Sequence, residues 1–153
     1  MNLRQITPKD QLILKEIYLH SINSIDENIY SRDQKFAWAS QAWENPKFKN
    51  SILNGQGWLL INNNINIGFA IRYPENRLSL FYVRGNYSRK GFGTIILNSV
   101  EKDALNSGIK TLETEASLIS YKLFLKRNWE IIRIEKVIIR DLIFKRFKML
   151  KII

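Results

Sequence analysis

The stretch Tyr87-Ser88-Arg89-Lys90-Gly91-Phe92-Gly93-Thr94 decides how the rest of the chain is read. It follows the apolar run Leu78-Ser79-Leu80-Phe81-Tyr82-Val83 and opens a helix-like run, Thr94 to Lys102. Strand, glycine-containing turn and helix, in that order, aim backbone N–H groups at an anion. The first four N–H groups of a helix lack internal partners, and the helix dipole adds partial positive charge at the same end. Gly91 and Gly93 carry no Cβ, so a phosphate can come close to the backbone, and Arg89 and Lys90 add formal charge. The spacing is neither the Gly-x4-Gly-Lys-Ser/Thr of a nucleotide triphosphatase loop nor the Gly-x-Gly-x-x-Gly of a dinucleotide fold. On these eight residues alone, a phosphate loop and an ordinary strand-to-helix turn are equally good readings.

Upstream, Met1 to Ile6 reads as a short strand, and Thr7-Pro8 starts a helix that ends near Ser24. His20, the one histidine, lies on that helix, where surface placement is the ordinary expectation. Ser31 is a helix N-cap for a second, aromatic-rich helix. Tyr30, Gln34 and Trp38 fall at steps of four, so they would share one face and could line a substrate pocket. Phe36 and Trp43 read as core. Pro46 starts a short helical turn through Leu53, stopped by Asn54-Gly55. Three strands follow: Trp58–Ile61, Ile65–Ile71 and Leu78–Val83, separated by turns at Asn62-Asn63-Asn64 and Tyr73-Pro74-Glu75-Asn76.

Downstream of the loop, Ile96, Leu97, Val100 and Ala104 share a helix face, and Ser107-Gly108 ends that helix. Lys110 to Ala116 is a strand reached through a crossover helix, so it should pair parallel. Ser117 can cap a fourth helix, Leu118 to Lys126. Trp129–Ile139 and Leu142–Leu150 alternate as a closing hairpin with Arg140-Asp141 at its turn.

Composition narrows the chemistry. A chain of 153 residues is expected to be a single domain, 1–153, with a core that needs no staples. It has no cysteine and one histidine, which excludes disulfides, thiolate or multi-histidine metal sites and a cysteine nucleophile; no metal is expected. No run approaches the roughly 18 apolar residues of a membrane span. The N-terminal residues carry no apolar secretion segment, so a cytoplasmic protein without a membrane partner is expected. The net charge is +10, and between Lys122 and Ile153 ten Lys/Arg face three Asp/Glu. That excess suits an anionic partner, and equally suits the Ile-, Asn- and Lys-rich usage of an AT-biased genome.

The order strand, helix, helix, three strands, loop and helix, strand, helix, two strands resembles the GNAT superfamily of N-acetyltransferases. Ser88-x-x-Gly91-x-Gly93 is similar to that family's pyrophosphate loop, usually Gln/Arg-x-x-Gly-x-Gly/Ala. Thr114-Glu115-Ala116-Ser117 with Phe124, Lys126 and Trp129, the segment Tyr30-Ser31-x-x-Gln34 with Ala37-Trp38, and Phe147-x-Met149-x-Lys151 resemble motifs of a bacterial subgroup. The resemblance spans nearly the whole chain. It implies a mixed α+β fold: a central, mostly antiparallel sheet of about seven strands with four helices, splayed between strands 4 and 5.

It also implies acetyl-CoA as donor. The coenzyme's pyrophosphate would lie on the N–H groups of Arg89, Lys90, Gly91, Phe92, Gly93 and Thr94, with Ser88 beside them. Its pantetheine arm would run along Phe81, Tyr82 and Val83, and Ser117 and Phe124 would border the thiol end. The N–H of Val83 could polarise the thioester carbonyl. Departures from the family pattern are Ser88 for Gln/Arg, Asn128 for Gly, and Phe124 where many members carry a proton-donating tyrosine. Tyr121, one turn earlier, is a stand-in or a packing residue. Glu115 is the candidate base, with a structural ion pair as the equal alternative; Glu75 and a water chain are further options. The expected reaction is direct attack by a primary amine, small-molecule or peptide, in a ternary complex, by a monomer or homodimer. The competing reading is a catalytically weak module that binds acyl-CoA or nucleic acid.

Overall fold

The computed structural model describes residues 1–153. Twelve elements run in chain order: β1 (Asn2–Gln5), α1 (Gln11–Asn23), α2 (Arg32–Ala37), α3 (Pro46–Asn54), β2 (Gln56–Asn62), β3 (Ile65–Arg72), β4 (Arg77–Val83), α4 (Phe92–Asn106), β5 (Thr111–Ala116), α5 (Tyr121–Lys126), β6 (Glu130–Ile139) and β7 (Leu142–Ile152). The seven strands form one sheet in the order β1-β2-β3-β4-β5-β7-β6. Only β4 and β5 pair parallel, as the crossover through α4 dictates.

Local chemistry explains the joints. The β2–β3 turn places Asn63 and Asn64, and the β6–β7 turn Arg140 and Asp141, at positive φ. Both are tight turns whose left-handed twist Asn and Asp tolerate. Ser31 caps α2 through a reciprocal box: its Oγ accepts from the Gln34 N–H at 3.1 Å, and Gln34 Oε1 accepts from the Ser31 N–H at 2.8 Å. Asn45 caps α3 by accepting from the Lys47 N–H at 2.9 Å with Pro46 next in line. The segment expected as a short turn is thus a full helix, which makes five α-helices. The fourth expected helix is shorter than its pattern suggests: Ser117 Oγ accepts from the N–H groups of Ile119 and Ser120, which forms a turn, and α5 begins at Tyr121.

Apolar residues pack on both faces of the sheet. Leu60, Ala70, Leu112 and Met149 meet Ile96, Leu97, Val100 and Ala104 of α4 on one face. Leu59, Phe69, Ile71 and Leu80 meet Leu14, Ile17, Tyr18 and Ile22 of α1 on the other. Trp43 is buried as expected, but Phe36 is 63% exposed. The six-residue helix α2 buries Ala37, so its neighbour Phe36 points outward beneath the Arg140 guanidinium, 5.3 Å from the ring centroid. No helix is long and apolar enough to cross a membrane.

Candidate active site at the strand splay

The sheet opens where β4 and β5 part. They pair only at Arg77–Glu113 and Leu78–Thr114. A buried hydrogen bond from Thr114 Oγ1 to the Leu78 carbonyl, 2.8 Å, fastens that point. Beyond it β5 continues against β7 through Ala116, whereas β4 stays with β3 through Val83. The Arg84 N–H donates to the Ile67 carbonyl at 2.9 Å. By the alternation of an antiparallel ladder, Tyr82 and Leu80 then also bond toward β3, and Phe81 and Val83 turn their N–H and C=O groups into the gap.

At the wide end of the gap lies the glycine loop. Arg89 has φ +58° and Gly91 φ +87°, and α4 starts at Phe92, two residues earlier than its apolar pattern suggests. No N–H from Arg89 to Thr94 donates to any group of the chain, so six consecutive donors, three in the loop and three in the first helical turn, are free for an anion. The Ser88 hydroxyl is spent on its own turn, donating to the Gly85 carbonyl at 2.8 Å. Lys90 Nζ sits over the Tyr87 ring at 5.7 Å. A Cβ on Gly93 would stand 3.1 Å from Leu123 Cδ2 and 3.4 Å from Phe81 Cζ, on the floor of the cleft. A run of unpartnered N–H groups with basic side chains at its mouth is the donor set a pyrophosphate needs, and the residues present fit coenzyme A.

The gap encloses two cavities. One, about 420 Å³, runs from Ser88, Arg89 and Gly93 past Phe81, Tyr82 and Val83 to Glu115, Ser117 and Phe124. The second, about 170 Å³, adjoins it between Tyr30, Phe48, Phe144 and the residues Arg77, Lys145 and Arg146. Both are lined by Trp38, Ser79, Tyr82, Glu115 and Ser117. A π-helical turn, Trp38–Ala42, follows α2 directly and sets the Trp38 indole at that junction. The Trp38 carbonyl accepts from the Tyr18 hydroxyl. Tyr30 precedes the helix rather than lying on it. Its ring nonetheless meets Trp38 at 5.2 Å, and its hydroxyl oxygen accepts from the Leu118 N–H at 2.9 Å. Burial pushes the Tyr30 phenol up and those of Tyr18 and Tyr82 well above their ordinary range, so they stay protonated.

Glu115 stands at the junction. Its Oε2 accepts from Arg77 Nε at 2.9 Å, and Lys148 Nζ lies 3.4 Å from Oε1. Burial alone would raise this carboxyl. The charge and hydrogen bond of Arg77, with the charges of Lys148 and Arg146, outweigh burial and hold it below the usual carboxylate range. Gln34 lines neither cavity: its Oε1 belongs to the cap of α2 and its Nε2 donates to the Ile143 carbonyl at 3.0 Å. Tyr121 also lines neither cavity and stacks on Phe147, centroids 4.3 Å apart. Three residues along a helix is about 60° short of a full turn, so while Phe124 faces Phe81 at 5.6 Å, Tyr121 swings toward β7. Arg77, Ser79 and Arg146 line the cavities and are passed over by single-sequence reading. The only trace of Arg146 is the charge excess of the final hairpin.

A sequence model of the acetyltransferase (GNAT) domain matches residues 27–141, about three-quarters of the chain. No curated protein sequence matches. Among solved structures, a protein from Rhodopseudomonas palustris described as a GCN5-related N-acetyltransferase, aminotransferase class-II, superposes with a TM-score of 0.90 at 26% identity, over 99% of this chain and 95% of its own. PaiA N-acetyltransferase of Thermoplasma acidophilum, solved with coenzyme A, gives 0.74 at 18% identity over 100% of both chains. The yncA protein of Salmonella typhimurium, solved with acetyl-CoA, gives 0.67 at 16% over 99% of this chain and 93% of its own. At the two lower identities the likeness is one of fold. With the family model, the parallel β4–β5 splay and the free N–H cradle in agreement, the chain belongs to the GNAT acetyltransferases, N-acetyltransferases whose acyl donor is acetyl-CoA.

Proposed function

We propose that this protein transfers the acetyl group of acetyl-CoA directly to a primary amine while both are bound. The observation that carries this reading is the shared wall of the two cavities, Trp38, Ser79, Tyr82, Glu115 and Ser117. A donor entering along β4 and an acceptor entering past Tyr30 and Arg146 would meet there, and the chain has no cysteine to hold an acyl intermediate. When bound, acetyl-CoA supplies the activated acetyl thioester. The N–H groups of Arg89 to Thr94 hold its pyrophosphate, and the free backbone edge of Phe81 and Val83 orients its arm. Val83 N–H, turned into the gap, would stabilise charge on the carbonyl oxygen.

In the transfer the amine nitrogen bonds to the carbonyl carbon, the carbon–sulfur bond breaks, and one proton leaves the nitrogen. Glu115 is the first acceptor for that proton. Held below its ordinary range, the carboxylate is a weak base, so it passes the proton on to water in the open cavity rather than keeping it. Phe124 cannot donate to the leaving thiolate, and Tyr121 reaches only through movement of α5, so the thiolate takes its proton from solvent. Trp38 and Tyr30 form the acceptor wall, and Gln34 serves it by fixing the start of α2 to β7.

Initial-rate kinetics with acetyl-CoA and an accepted amine test this reading. Intersecting double-reciprocal lines, with no thiol release before amine is added, are expected. Parallel lines, or a stoichiometric burst of free coenzyme A without amine, would show an acyl-enzyme and sink direct transfer.

A further inference from the structure

The 170 Å³ cavity has a charge pattern that selects its ligand. Two cations turn into it, Arg77 and Arg146, against one carboxylate, Glu115, which is already paired. Arg77 uses only Nε on Glu115, so its two terminal nitrogens have no partner in the chain. Arg146 uses only Nε, on Glu135 at 3.2 Å. Lys145, the residue before Arg146 on β7, points to the other face of the sheet, where its Nζ lies over the Phe147 ring, so its charge is not counted in the cavity. Unspent forked guanidinium nitrogens beside an apolar wall of Trp38, Phe48 and Phe144 match a planar carboxylate carried on an apolar body. The volume is small beside the roughly 300–1,000 Å³ of ordinary ligand sites, which favours a ligand of amino-acid size.

Given the transfer proposed above, on which this rests, we propose that the acceptor is a small apolar α-amino acid whose carboxylate binds Arg146 and the free end of Arg77 while its amine faces Glu115. A zwitterion places its two charges one carbon apart, as Glu115 and Arg77 stand side by side. A polyamine brings only positive charge into a cavity whose cations already outnumber its carboxylate. An amine lacking the carboxylate leaves the cations unmatched.

Thiol release from acetyl-CoA is measured with leucine, leucinamide, isoamylamine and spermidine. At neutral pH a larger fraction of leucinamide than of leucine is free amine, because a carboxylate beside the nitrogen stabilises the ammonium. A preference for leucine therefore runs against basicity and reports recognition. The expected kcat/KM for leucine exceeds that for leucinamide by about tenfold or more, the low end for a hydrogen bond to a charged group, since Arg77 and Arg146 are partly solvated. Arg146→Gln is expected to bring that ratio toward one, chiefly through KM, with coenzyme A still raising Tm as the folding control.

Leucinamide, isoamylamine or spermidine turned over as well as leucine would overturn the inference and leave acetyl transfer standing. So would an unchanged ratio in a folded Arg146→Gln variant. No thiol release with any amine, while coenzyme A still stabilises the protein, would overturn the transferase reading and this inference with it.

Discussion

Replacing Gly91 by alanine tests whether the anion cradle depends on one left-handed residue. Gly91 sits at φ +87° and ψ −6°, and a Cβ built there meets nothing within 4 Å. The substitution is therefore free of collision within the chain, and its cost is backbone strain, about 1–2 kcal/mol. That strain must appear somewhere. If the loop keeps its shape, the folded state bears it, and Tm falls by about 2–8 °C at ~2–4 °C per kcal/mol for a chain of this size. If the loop relaxes in the free protein, Tm is spared and binding restores the strained shape, weakening the Kd for coenzyme A by at most about 5- to 30-fold. The loss in stability and the loss in binding energy should therefore add to one to two kcal/mol, however they divide. Calorimetric melting and titration with coenzyme A measure both. A variant that loses neither would refute the argument, because the free N–H groups of Arg89 to Thr94 would not then depend on the turn at Gly91.

Gly93→Val places carbon against Leu123 and Phe81 on the cleft floor. It should weaken coenzyme A by at least about tenfold with little change in Tm, because leaving glycine restores helix propensity worth about 0.5 kcal/mol; unchanged affinity by titration would count against the pantetheine path. Thr114→Val keeps the side chain's shape but removes the bond its hydroxyl donates to the Leu78 carbonyl at 2.8 Å. A stability loss of about 0.5–1.5 kcal/mol is expected by denaturant titration. Glu115→Gln should lower kcat by about 100-fold, the low end for a group that takes a proton, with a far smaller change in the Kd for acetyl-CoA; unaltered kcat would remove Glu115 from the chemistry. The same variant has a pH signature. Glu115 is held below its ordinary value, so its contribution to stability is complete above that value and fades as pH falls through its folded pKa. In Glu115→Gln the decline of Tm from about pH 5 downward should be shallower than in the wild type.

Much of the fold is legible because its cues are local. Ser31 with Gln34 three residues on, Pro46 after Asn45, and the Asn63-Asn64 turn each specify their own few residues. The boundaries that differ do so where a tertiary contact decides. Leu118 is held out of α5 because its N–H goes to the Tyr30 hydroxyl, 88 residues away in sequence. Tyr30, Gln34 and Trp38 have helical spacing, but the cap at Ser31 takes Tyr30 off the helix and the tie to Ile143 takes Gln34 out of the pocket. Trp38 reaches the junction because a π turn, which has no single-residue signature, begins there.

The two halves of the site are written in different ways, and this explains why the donor is easier to read than the acceptor. The cradle proposed for the coenzyme is backbone: N–H groups of Arg89 to Thr94 and the free edge of Phe81 and Val83. Such a site asks little of side chains beyond glycine in the loop and a strand that loses its neighbour, so it leaves a contiguous mark in sequence. The cavity proposed for the acceptor is lined by residues of β4, β5, β7 and the turn after α2, brought together by register. Glu115 opposes Lys148 across β5–β7, and Arg77 opposes Glu113 across the first of the two rungs of the parallel pair. Slipping β7 by one residue would turn Arg146 to the other face of the sheet. Loop and cradle can therefore persist while a few substitutions on β4 and β7 change the proposed acceptor, and Arg77 and Arg146 are the positions at which specificity should be sought.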